Sequence, residues 1–383
     1  MSVTGQQPRV RDTGTAAAKI TGEAVYLYAF DIAYEIPRAP LRELLGQPVA
    51  QFIPDATKKS PRQLFFYRPQ MVRLPPIERF GPRGPIRVER SIKLLPVGAI
   101  SVMVRIPFSV DKIEDLVGYH DIRFTDGSYL YDEVRDLAEQ VRQELAPGLI
   151  RPVKTLGDEE AYTVFCFNAP LRDAQGNALS AEDWFLGNRR AVASLLTEEP
   201  DLQQLSDQEA DESSAKYFSY YENDIVVIDW DAAVVVDDPR SFDETLYIIE
   251  LANVQLAELE AYDRILDDAV ETSYRDLAGK RFKSLRLSST QRELREIRID
   301  LARLQDELGN ITKFFGDWHL ARIYQGLATR FHLQEWQKSI DEKLRTLDDL
   351  YQIMRQDQMN MWMLILEASI VALFILDIVK SIF

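Results

Sequence analysis

The chain has 383 residues, room for two or three domains, and its 46 % apolar content is enough to bury a real core. A formal net charge of −16 excludes a protein that coats nucleic acid with its whole surface. The single cysteine, Cys166, excludes an internal disulfide and fits a reducing compartment; within the apolar run 162–167 it reads as a packed small hydrophobe rather than a nucleophile.

In chain order, residues 1–19 are polar and small and are expected to be disordered. They show no charged start followed by an apolar stretch, so the chain is expected to stay in the compartment where it is made. Residues 22–36 are a strand pattern rich in aromatic and β-branched side chains, ended by Pro37, and 38–45 read as a short helix. Between 58 and 93 lie ten Lys/Arg against Glu78 and Glu89, with six prolines and the aromatics Phe65, Phe66, Tyr67 and Phe80. Such a basic, Pro-rich loop could contact RNA or anionic lipid headgroups; the alternative is a plain connection between strands. Residues 86–95 and 99–108 alternate around Pro96-Val97-Gly98, a hairpin signal. Residues 110–117, 130–145 and 180–196 read as helices and 160–167 as a strand. An acidic linker over about 198–214 then precedes strands at 217–221 and 224–236. The order of elements predicts an α+β soluble domain over 20–238, built on mostly antiparallel sheet.

From 239 to 359 the pattern is helical. Residues 242–279 form one long amphipathic run. Leu294, Ile297, Leu301, Leu304, Leu308, Ile311, Phe315 and Trp318 then step alternately by three and four, the seam of a coiled coil. A second seam, Ile340, Leu344, Leu347, Tyr351 and Met354, leads into the C-terminal segment 360–383. A helical hairpin whose second arm becomes an anchor accounts for both, with the seams packing within the chain or between copies as a homo-oligomer.

Residues 361–383 would span ~34 Å as a helix, enough for a hydrocarbon core of ~30 Å. Trp362 stands at the entry and Lys380 near the exit, where interfacial side chains belong. Asp377 can pair with Lys380 one turn away, whereas Glu367 would cost about 2.5–3.5 kcal/mol at mid-span and is expected to face another helix. The alternative is a buried helix of a soluble core. Lys343, Arg345 and Arg355 precede the span and only Lys380 follows it, which favours a cytoplasmic domain.

Catalytic signatures do not emerge. His120, His319 and His332 share no metal-ligand spacing, and no phosphate-loop, dinucleotide, nucleophile-elbow or zinc-protease motif occurs. Asp224, Asp229, Asp231, Asp237 and Asp238 cluster; on one strand Asp229 and Asp231 would share a face and could hold a divalent cation, though such residues more often form a solvated edge. No cofactor is expected.

Asn223-Asp224-Ile225, followed by Glu250-Leu251-Ala252-Asn253, and Phe314-Phe315-Gly316-Asp317 with Leu320 and Tyr324, resemble segments of the family called required for meiotic nuclear division, also catalogued as domain of unknown function 155. The likeness spans about 217–383, including the apolar end from Met361. It implies a membrane-anchored tether without established catalytic residues, here of bacterial type and in the inner membrane. The expected function is therefore a self-associating, non-enzymatic scaffold. The alternatives are a divalent-cation-dependent enzyme without a recognisable motif and a subunit of an oligomeric channel.

Overall fold

The computed structural model describes residues 19–52, 69–81, 84–172, 176–278 and 318–382, together with 295, 298, 299 and 302. Twelve strands are present among them: β1 Ile20–Asp31, β2 Ala33–Glu35, β3 Glu43–Leu44, β4 Gln47–Gln51, β5 Gln70–Gly81, β6 Gly84–Leu94, β7 Ala99–Val110, β8 Ile150–Pro152, β9 Glu160–Asn168, β10 Tyr217–Phe218, β11 Ile225–Ile228 and β12 Ala232–Asp237. The described α-helices, in the labels used below, are α1 Leu130–Leu145, α2 Ala181–Gly187, α3 Arg189–Leu196, α4 Asp207–Ser213, α5 Phe242–Ala278, α6 Trp318–Arg330 and α7 Leu333–Ile382.

Ten strands form one sheet in the order β10-β11-β12-β9-β1-β7-β6-β5-β4-β3. Every pairing in it is antiparallel except that of β12 with β9. β1 lies at the centre, where both neighbours satisfy its backbone, so its side chains are apolar toward both faces rather than alternating with polar ones. Val25, Leu27 and Ala29 enter a core shared with α5, α6 and α7. Tyr26, Tyr28 and Phe30 enter a second core under α1, α2 and α3. The α+β class and the mostly antiparallel sheet thus stand, in three layers.

Several local expectations change. Residues 38–45 form no helix; they run into the short β3–β4 hairpin, with Leu45 and Gly46 at positive φ in its turn. Residues 113–119 are a 3₁₀ helix, and Val110 belongs to β7. The helix expected over 180–196 is two, meeting at Asn188, the first begun by Ser180, whose side chain accepts from the Asp183 N–H. Within 198–214 the chain folds into α4, capped by Ser206 accepting from the Glu209 N–H. Residues 70–81 and 84–94 of the basic region are the long β5–β6 hairpin. Pro75-Pro76 sits where the register shifts between Leu74 and Ile77, because prolines lacking an N–H are tolerated at a bulge. Gly98 closes the β6–β7 turn at φ 112°, and its carbonyl accepts from the N–H groups of Ile32 and Ala33 at 3.0 and 3.2 Å.

The first half of α5 is buried on every side, from Glu244 to Leu259. The sheet lies beneath it and α6 and α7 pack against it, so strands and helices share one core. Beyond the sheet, Lys343 of α7 reaches Asp263 at 2.7 Å and Asp267 at 2.6 Å on α5, and Tyr351 meets Ser273 at 3.3 Å. The residue numbers rise together, so the two helices run side by side in the same direction, away from the sheet.

Candidate functional site

Two features stand out: where α7 leaves the core, and a cleft on the sheet. The second seam, Ile340, Leu344, Leu347, Tyr351 and Met354, is buried against α5 and is therefore consumed within the chain. Of the first seam, Leu294, Ile297, Leu301, Leu304, Leu308, Ile311 and Phe315 lie outside the described residues. Trp318 is 83 % exposed at the start of α6. Arg298, one of the described residues between, pairs with Asp348 on α7.

From Met359 onward the described side chains of α7 are all exposed, including Trp362, Glu367, Asp377 and Lys380. Among the described residues this is one helix long and apolar enough to cross a membrane, and none of its apolar window is buried. A soluble-core helix would hide such a surface, because apolar area exposed to water costs roughly 25 cal/mol per Å².

The cleft, of about 440 Å³, opens on the face of β5, β6 and β7 beside the start of α5. Register places its cations: Arg73 opposite Ser91, Met71 opposite Lys93, and Glu89 opposite Arg105. Strand alternation turns these side chains to one face. Lys93 is 2 % exposed; its ammonium donates to Glu250 of α5 and lies 4.0 Å from the centre of the Phe52 ring. Arg105 donates to Glu23 at 3.3 Å and to Asp243 of α5. Burial alone would lower the Arg105 pKa, but these two carboxylates outweigh it and hold it above the usual arginine value. Arg87 pairs with Glu89 at 2.8 Å in a solvent-exposed contact. Arg90 also lines the cleft, and burial lowers its pKa. Five cationic side chains thus line the cleft against two carboxylates, Glu89 and Asp243, in a chain of net charge −16.

The aspartates read as a cation site are placed otherwise. Asp229 and Asp231 flank Trp230 in the turn between β11 and β12, where strand alternation no longer aligns them. Asp229 accepts from Arg330 of α6 at 2.8 Å; burial raises its pKa and Arg330 opposes the rise. No group of three His, Cys, Asp or Glu able to hold a metal ion occurs among the described residues. The histidines are dispersed: His120 contacts the Leu195 carbonyl, His319 is buried on α6, and His332 packs on Trp230. Cys166 is wholly buried on β9, which pushes its thiol well above the ordinary range.

Other singled-out residues dock elements. Asp224 accepts the N–H groups of Tyr220 and Tyr221 at 2.7 and 3.1 Å, and Asn253 donates to the Glu160 carbonyl at 2.9 Å. Tyr324 donates to Gln255 in the buried α5–α6 contact. What sequence reading missed is the cleft, since its residues come from three strands, one helix and Phe52 just after β4; the basic excess over 58–93 was the available signal. Of that stretch, Lys58, Lys59, Arg62, Arg68 and Arg83 lie outside the described residues.

Residues 21–243, which contain the entire ten-stranded sheet apart from one terminal residue, match the family described as uncharacterized protein MJ0711, N-terminal domain. This chain belongs to that family. The uncharacterized protein MJ0711 of Methanocaldococcus jannaschii is 25 % identical over 252 residues, covering 64 % of this chain and 75 % of the relative. No solved structure matches. The family match covers the sheet and ends at the first residues of α5.

Proposed function

We propose that the chain is a membrane-anchored, non-enzymatic scaffold that carries its sheet domain on a helical stalk. One observation carries this reading: α7 is a single helix whose first part is locked into the core and whose last part is bare and apolar. A continuous helix transmits position rigidly, so the domain stands at a set height rather than on a flexible tether. Counting α5 from Tyr247 to Ser273, then α7 from Tyr351 to Met359, puts the cleft ~50 Å from the start of the span.

A cytoplasmic domain is supported by Lys343, Arg345 and Arg355 before the span against Lys380 alone near its end. We place self-association in the span, because the seam 340–354 is already occupied by α5 and Glu367 is costly against lipid. The scaffold reading fits Asp243 of the cleft, which Arg105 holds in an ion pair. A tethering role is also what the likeness to the meiotic-division family implies.

Deleting 361–383 should move the protein from the membrane pellet to the soluble fraction. Retention of the truncated chain in salt-washed membranes would refute the anchor.

A further inference from the structure

We propose that the cleft beside α5 binds a small soluble molecule bearing a phosphate group on an apolar or ring-shaped body. The volume of about 440 Å³ is that of a small-molecule site, not of a groove for a folded partner. Its chemistry is divided. Phe52, Met71 and Met103 supply an apolar, adaptable surface. Arg73 and Arg87 bring guanidinium forks, which match the oxygens of a phosphate in pairs.

Their availability differs. Lys93 and Arg105 are held by Glu250, Glu23 and Asp243, so the floor of the cleft is charge-compensated and an anion is left to the outer arginines. Among the described residues Arg87 pairs with Glu89, an exposed contact that is weak in water and readily exchanged for a ligand. Arg73 is exposed and makes no ion pair among the described residues. On a chain of net charge −16, the outer arginines Arg73, Arg87 and Arg90 in a concave surface focus their field on a small anion. Phospholipid headgroups of the chain's own bilayer are out of reach, ~50 Å away along α5 and α7. That exclusion rests on the anchored reading, whereas the cleft's binding chemistry does not.

The test is isothermal titration of the full chain in detergent micelles with inorganic pyrophosphate and with ADP at low salt. Saturable binding of at least one probe is expected, stronger for ADP because its ring meets the apolar surface. The variant R73A/R87A removes two exposed side chains without touching the buried ion pairs, so the fold is retained; it should weaken binding by about tenfold or more. Arg151→Ala, on the small β2–β8 sheet where the guanidinium stacks on Tyr34, should leave binding unchanged. The proposal is overturned if neither probe binds more tightly than about 1 mM, or if R73A/R87A binds as well as wild type. It is also overturned if a single-stranded oligoribonucleotide binds through the same arginines while both small probes fail. Because titration in micelles does not depend on anchorage, failure here leaves the fractionation result standing, and the reverse holds too.

Discussion

Lys93 on β6 and Glu250 on α5, 157 residues apart, form a buried ion pair that joins the outer half of the sheet to the helix that becomes the stalk. The second carboxylate oxygen of Glu250 is buried without a hydrogen-bond partner, so the pair is only partly satisfied. Taking two charges out of water is costly, and their attraction offsets that cost only while both are present. Lys93→Ala or Glu250→Ala should therefore destabilise by about 3–5 kcal/mol, whereas Lys93→Met with Glu250→Leu should recover most of the loss. Urea denaturation of the four proteins measures this. Full additivity of the two single losses in the double variant would show that the pair is not coupled.

Glu160, at the start of β9, has its pKa pushed up to about 8, first by burial and then by the neighbouring carboxylates of Glu260 and Asp231. A folded-state value above the unfolded one means that the native state holds its proton more tightly. The resulting stability is present below about pH 4.5 and is lost as pH rises through about 8. Glu160→Gln, which keeps the neutral shape, should raise stability at pH 8 by on the order of 3 kcal/mol and leave it nearly unchanged at pH 4.5. Thermal melts of both proteins at the two pH values decide it; equal increments at both would remove the titration argument.

A methyl group on Gly98 would sit 1.8 Å from the Ala33 carbonyl oxygen, on a backbone at φ 112° that L side chains rarely adopt. The neighbour is backbone and cannot turn aside. Gly98→Ala should cost about 2–4 kcal/mol by opening the β6–β7 turn from the end of β1. Hydrogen exchange should then show lost protection at the Ile32 and Ala33 amides, which donate to the Gly98 carbonyl.

Leu347 is wholly buried between α7 and α5. Leu347→Ala should destabilise the stalk by about 2–5 kcal/mol through the cavity it leaves. Limited proteolysis should then cut α7 before Met354 while the sheet stays intact. An unaltered cleavage pattern would mean that α7 draws its order from elsewhere.

What was legible in the sequence follows from short-range periodicity. The strand runs near 22–36, 99–108 and 160–167, the 130–145 helix and the apolar C-terminal helix each announce themselves within a dozen or two residues, because pattern and element share a period. The Pro96-Val97-Gly98 turn was readable for the same reason. Pro75-Pro76 misled, because prolines in a run suggest a loop unless a bulge, invisible in one dimension, takes up their missing donors. The same limit hid the surroundings of α5: its sequence shows an apolar stripe, yet Glu250 and Asn253 are buried as well, since α6 and α7 cover the side that faces away from the sheet. By itself, then, the sequence determined the class of fold, the central strands and the presence of a long apolar C-terminal helix, all properties of neighbouring residues. Only the tertiary structure decided that the second heptad seam is consumed by α5, that Asp229 answers Arg330, and that Arg73, Arg87, Lys93 and Arg105 share one cleft. Those facts depend on strand register and helix docking between residues far apart in the chain, which no local period encodes.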